Sequence, residues 1–199
     1  MAEKQLIISI SREYGSGGHV IGEALAKKFD LPVYDRDLLK KIASEDELMD
    51  ASLLEKYDET PRNSFFTRTV RGYSSSPAEN IAYMQFEYLK KMAANGDSFI
   101  AIGRCSEYVL KDFHPITLFI LSDAEAKAQR IMGLHDLDQD AALERMKRID
   151  KQRRTYHNYY SPHKWGDSRY YDLSINSARL GIEATADYLE SFIRQLLAR

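Results

Sequence analysis

Short apolar runs alternate with stretches of helical spacing along the chain, beginning in the order strand, loop, helix. Leu6-Ile7-Ile8-Ser9-Ile10 is a β-branched run of the kind that forms a strand buried on both faces. The cluster Gly15-Ser16-Gly17-Gly18 follows, and beyond it Val20, Ile21, Ala24, Leu25, Ala26 and Phe29 recur at the spacing of one helix face. Pro32-Val33-Tyr34 predicts a second short strand, and Asp35 to Ala43 a helix with Leu38, Leu39 and Ile42 on one side. From Ser44 the periodicity weakens, and Pro61, Gly72 and Ser74-Ser75-Ser76-Pro77 mark a helical excursion near 44–95. Its last part is a long helix through Ile81, Met84, Tyr88 and Met92, closing at Asn95-Gly96.

Ser98 to Ile102 and Ile116 to Leu121 predict two more strands, the first running into Gly103-Arg104 and the second into Ser122-Asp123 as a helix start. Asp138 to Tyr160 is highly charged and belongs to a lid expected near 136–168; Asp172 to Ile175 predicts a last strand before a helix from Gly181. Strands separated by helices imply a parallel α/β sheet with right-handed crossovers, flanked by helices in three layers, in one domain over residues 1–199.

Composition narrows the function classes. Lys plus Arg number 28 against 30 Asp plus Glu, so nothing in the net charge of −2 attracts nucleic acid or an anionic membrane. Cys105 is the only cysteine and cannot form an internal disulfide, which points to a reducing, cytoplasmic setting. No apolar stretch is long enough to span a bilayer, and no metal-ligand spacing stands out, His157 and His163 included. The aromatic segment Tyr156 to Trp165 reads either as a base-stacking surface or as a connector packed on the sheet.

A glycine loop between a strand and a helix presents backbone N–H groups to an anion at the carboxyl edge of such a sheet. Phosphate is the expected ligand, with a tight packing turn as the alternative. The standard pattern G-x-x-x-x-G-K-[ST] is not met: with Gly17 as its last glycine, Arg12 takes the first-glycine position, Gly18 that of the lysine and His19 that of the hydroxyl residue. Arg12 could reach phosphates in place of the lost lysine or pair with Glu13; His19 could donate to phosphate or to the helix end.

Several separated segments resemble the cytidylate kinase-like family of P-loop nucleoside-monophosphate kinases. They are Ile8 to Gly18 with Ile21-Gly22, Tyr34-Asp35-Arg36, Ile102-Gly103-Arg104, Arg148-Ile149-Asp150-Lys151-Gln152-Arg153 and Tyr171 to Asn176. The resemblance implies an ATP-dependent phosphotransferase acting on a nucleoside monophosphate or related small acceptor, with ATP and magnesium as cofactors. It implies that Gly15, Ser16, Gly17, Gly18 and His19 bind the donor phosphates and that Arg36, Lys41 and Arg104 bind the acceptor. Arg12, Arg148 and Arg153 would act on the transferring group, with Asp150 holding the arginines. Where the family has aspartate after Gly-Arg, this chain has Cys105, which does not accept a hydrogen bond from an exocyclic amine as a carboxylate does. The missing lysine leaves a second class open, a non-catalytic nucleotide or phosphate sensor on the same fold. The expected partner is a small nucleotide, without nucleic acid or membrane.

Overall fold

The computed structural model describes residues 5–35, 69–70, 73–74 and 76–199. β1 (Ile7–Arg12), β2 (Val33–Tyr34), β5 (Phe99–Ile102), β6 (Ile116–Leu121) and β7 (Leu173–Asn176) form a parallel sheet in the order β2-β5-β1-β6-β7. β3 (Thr69–Val70) and β4 (Tyr73–Ser74) make a separate antiparallel pair. The helices are α1 (Gly18–Phe29), α2 (Pro77–Ala94), α3 (Ser106–Val109), α4 (Ala124–His135), α5 (Gln139–Tyr160) and α6 (Gly181–Leu197). The helix expected over Asp35 to Ala43, with Arg36 and Lys41, and most of the excursion lie outside the described residues.

β1 is central, so both of its faces are covered and every one of its residues is buried. Ile8 and Ile10 pack with Ile100, Ile102, Leu118 and Ile120 against Ile21 and Leu25 of α1 and Leu189 and Ile193 of α6. On the other face Ile7, Phe99 and Ala101 meet Ile81, Tyr88 and Leu89 of α2. Side chains alternate across a strand, so this second face also carries Ser9 and Ser11. They are satisfied from α3: Ser9 Oγ lies 2.6 Å from Ser106 Oγ, and Ser11 Oγ donates to Glu107 Oε2 at 3.2 Å.

β1 runs two residues further than its apolar run suggests. Ser11 and Arg12 pair in register with Phe119 and Ile120 of β6, so Arg12 ends the strand where the loop begins. α5 starts on Asp138, whose carboxylate accepts the Ala141 N–H at 2.8 Å as an N-cap. Beyond α5 the aromatic segment packs as a connector: the Trp165 and Phe119 rings stand edge to face at 5.4 Å, and the His163 and Tyr170 rings stack at 3.7 Å.

Candidate functional site

Strand order reverses about β1, which has β5 on one side and β6 on the other, and ligands of open α/β sheets bind outside the carboxyl ends of the strands at such a point. Three segments meet there: the glycine loop after β1, Gly103-Arg104-Cys105 after β5 and Ser122-Asp123 after β6.

Gly15 and Gly17 hold the loop's shape at φ of +81° and +78°. An L side chain is strained there, and a Cβ would come within 2.8 Å of Ile131 Cδ1 at Gly15 and of Ile182 Cδ1 at Gly17. Ser16 is fully buried and ties the loop together, its hydroxyl donating to Glu13 O at 2.8 Å while its carbonyl accepts from Ser177 Oγ at 2.6 Å. At Gly18, where the standard loop has lysine, a Cβ would stand 2.6 Å from Arg12 Cβ and 3.3 Å from Ile120 Cβ. The two departures from the standard pattern are thus one change: the stem of Arg12 occupies the space that a side chain at 18 needs. Gly18→Lys is accordingly expected to destabilise the protein by about 1–3 kcal/mol through overpacking and not to improve ATP affinity. Combining it with Arg12→Gly should recover the lost stability, which thermal unfolding of the single and double variants checks.

Four cationic side chains from outside the loop contact its successive residues. Arg153 Nη1 donates to Arg12 O at 3.2 Å, Lys127 Nζ to Glu13 Oε2 at 2.9 Å, Arg145 Nε to Tyr14 Oη at 2.8 Å, and Arg130 Nη1 to Gly15 O. The Arg153 guanidinium also lies 5.7 Å from the centre of the Tyr14 ring. Two carboxylates balance part of this charge. Glu13 and Asp150 share Lys127, and Asp150 also accepts the Tyr14 N–H at 2.7 Å. Burial raises the Asp150 carboxyl above its ordinary value, against the opposing pull of the Tyr14 amide, Lys127 and Arg153.

The helical period separates the expected lid residues. Asp150 and Arg153, three apart, share the face of α5 that docks on the loop. Arg148 lies on another face and is exposed, lining an open groove of about 660 Å³ with Arg145 and Lys151. The structure therefore brings Asp150, Arg153 and Arg12 together at the loop but not Arg148. His19 is exposed in the first turn of α1 and faces Asp35 at 3.1 Å and Glu23 at 3.4 Å. Glu13, considered from sequence as a partner for Arg12, pairs with Lys127.

At the end of β5 the backbone is strained. Gly103, Arg104 and Cys105 take φ of +81°, +60° and +54° in succession, a left-handed run that costs on the order of 1–2 kcal/mol for each non-glycine residue. It carries Arg104 into full burial and turns Cys105 inward beside Glu107, with Sγ 3.6 Å from Oε1. An aspartate at 105 would set two carboxylates against each other, which gives a physical reason for cysteine at this position.

The loop glycines, and Asp150 and Arg153 of α5, were singled out in the sequence. Lys127, Arg130 and Arg145 were not, since they reach the loop through tertiary packing. One signal was present: Lys127 stands beside Ala128 and four residues before Ile131, on the apolar face of α4.

No curated protein sequence matches the chain significantly. A solved structure of an uncharacterized protein from Eubacterium ventriosum is similar over 96% of this chain and 99% of its own, at 33% identity and a TM-score of 0.76. Shikimate kinase from Bacteroides thetaiotaomicron shares the fold at 15% identity and a TM-score of 0.56, covering 95% of this chain and 98% of its own. Shikimate kinase from Acinetobacter baumannii, solved in complex with shikimate, does so at 13% identity and a TM-score of 0.52, covering 97% and 95%. The resemblance carried by the glycine loop, the Gly-Arg pair and the α5 segment agrees with a family model that matches residues 7–179, and the chain belongs to the cytidylate kinase-like family.

Proposed function

We propose that this protein transfers a phosphoryl group from ATP to a nucleoside monophosphate or a related small acceptor. The observation that carries the reading is the contact of Lys127, Arg130, Arg145 and Arg153 with loop residues 12–15 at the carboxyl edge of the sheet. Phosphoryl transfer needs positioning and electrostatic offset of charge more than covalent help, and such a cluster supplies both. The loop fits a polyphosphate, with glycines at its left-handed positions and α1 starting at Gly18. It does not offer the hydroxyl that holds magnesium in the standard pattern, because His19 stands there and faces two carboxylates. Magnesium would therefore arrive with the triphosphate.

In this reading Gly15 to His19 surround the donor phosphates, Arg12 and Lys127 supply charge that the loop's own lysine would have given, and Arg153 acts on the transferring group. Asp150 positions that group indirectly, by holding the Tyr14 amide and Lys127. Arg104 binds the acceptor phosphate; Arg36 and Lys41 are further candidates for that role. The lack of room at Gly18 favours one second reading, a sensor that binds nucleotide without turnover.

Calorimetry with ATP, magnesium and candidate acceptors tests the proposal. ATP should bind the wild type, and Arg104→Ala should weaken acceptor binding by roughly 1.5–3 kcal/mol, the scale of a hydrogen bond to a charged group, with little effect on ATP. Equal loss of both affinities would make Arg104 a structural arginine, and no binding of ATP at all would remove both readings.

A further inference from the structure

Behind the strained end of β5 lies a buried cluster that the phosphoryl-transfer reading does not use. Cys105, Glu107 and His157 each offer one metal-ligating atom, and the three atoms lie within 4.8 Å of one another. Cys105 is 3% exposed, and the His157 and Glu107 side chains are 4% and 6% exposed. Spacing along the chain conceals the group, because Cys105 and His157 are 52 residues apart and meet only where the base of α5 packs on α3.

The hydrogen bonds around His157 determine which of its nitrogens is protonated. Asn158 Oδ1 accepts the backbone N–H of Trp165 at 2.9 Å, which identifies it as the amide oxygen. The same oxygen lies 3.2 Å from His157 Nδ1, so Nδ1 carries a proton and donates it. Nε2 then faces Glu107 Oε1 at 2.5 Å. Two atoms that both present lone pairs approach this closely only with a cation between them, either a proton or a metal ion. The Cys105 sulfur lies 3.6 Å from the same carboxylate oxygen. Donor atoms around a tetrahedral ion, at about 2.0–2.3 Å from it, stand roughly 3.2–3.7 Å apart. The Sγ–Oε1 pair already has that spacing, and Nε2 and Oε1 would move apart to admit the ion.

We propose that Cys105, Glu107 and His157 bind a divalent ion of the zinc class, which fastens the base of α5 to the end of β5. The mixed sulfur, nitrogen and oxygen set selects zinc or cobalt over magnesium or calcium, which prefer all-oxygen shells. The outer contacts suit the role: Asn158 orients the imidazole, and Ser11 Oγ donates to the second oxygen of Glu107 at 3.2 Å. Three protein ligands leave a fourth position for water or another exogenous ligand. Binding displaces the thiol proton and the proton held between Glu107 and His157 to solvent. Burial, then the charge of Glu107, pushes the thiol well above its ordinary value, so without a metal the sulfur stays protonated.

Cobalt(II) titration of chelator-treated full-length protein provides the test. Cys105 is the only cysteine of the chain, so a thiolate-to-cobalt charge-transfer band can arise nowhere else. The expected result is a saturable band at one cobalt per chain, abolished by zinc, absent in Cys105→Ser, and requiring at least tenfold more cobalt in His157→Gln and in Glu107→Gln. Far-UV circular dichroism checks that the variants fold. A wild-type protein that gives no such band holds only a proton in this cluster and overturns the proposal. A band of unchanged affinity in folded His157→Gln and Glu107→Gln overturns it as well. Both results are independent of whether ATP is bound or turned over.

Discussion

Arg153→Ala is expected to lower kcat by a factor of about 10³ or more while changing KM little, the behaviour of an arginine that acts on the transferring group. Arg153 projects from the face of α5 that docks on the loop, donates to the Arg12 carbonyl and lies over the Tyr14 ring. Its planar, permanently charged fork suits the developing charge on phosphoryl oxygens, and an interaction made mainly in the transition state appears in kcat and not in KM. Arg148→Ala is the internal control. Its side chain lies in the exposed groove on another face of α5, so its effect should be much smaller. Steady-state kinetics of the two variants decide between them, and equal losses would mean that α5 turns in the working complex.

Gly17→Val is expected to lower ATP affinity at least tenfold and to lower the melting temperature as well. At φ of +78° a side chain costs roughly 1–2 kcal/mol in backbone strain. The Cβ would not point into the loop's concave side. It would meet Ile182 Cδ1 at 2.8 Å and approach Arg130 Nη1 at 3.4 Å, so it would push the loop away from α6 and disturb the cation that holds Gly15. The affinity loss therefore comes from displacement of the loop. Gly17→Ala combined with Ile182→Ala separates the two causes: it relieves the contact with α6 and keeps the backbone strain. Calorimetry on folded protein should show partial recovery of affinity in the double variant, and full affinity in Gly17→Val itself would end the assignment of this loop to phosphate.

The fold was legible where burial dictates composition. Strands covered on both faces read as predominantly apolar runs, so β5 and β6 and the central part of β1 follow from Phe99 to Ile102, Ile116 to Leu121 and Ile7 to Ile10. The end of β1 was not, because Ser11 and Arg12 are polar and become strand only through pairing with Phe119 and Ile120. The glycine loop was legible because a left-handed backbone favours glycine. The reason for its missing lysine was not, since that depends on Arg12 Cβ packing over Gly18. Residues brought in from afar escaped the reading for the same reason. Lys127 and Arg130 on α4 reach the loop, and His157 at the foot of α5 reaches Glu107, only once the helices are packed.

Product analysis after incubation with ATP and magnesium tests the central claim most directly. The wild-type protein is offered a panel of nucleoside monophosphates and other small phosphate or hydroxyl acceptors, and the mixtures are examined for ADP together with an acceptor heavier by one phosphoryl group. The account predicts stoichiometric ADP and phosphorylated acceptor for at least one member of the panel, lost in Arg153→Ala. Nucleotide binding by calorimetry with no phosphorylated acceptor anywhere in the panel would contradict it and leave the nucleotide sensor in its place.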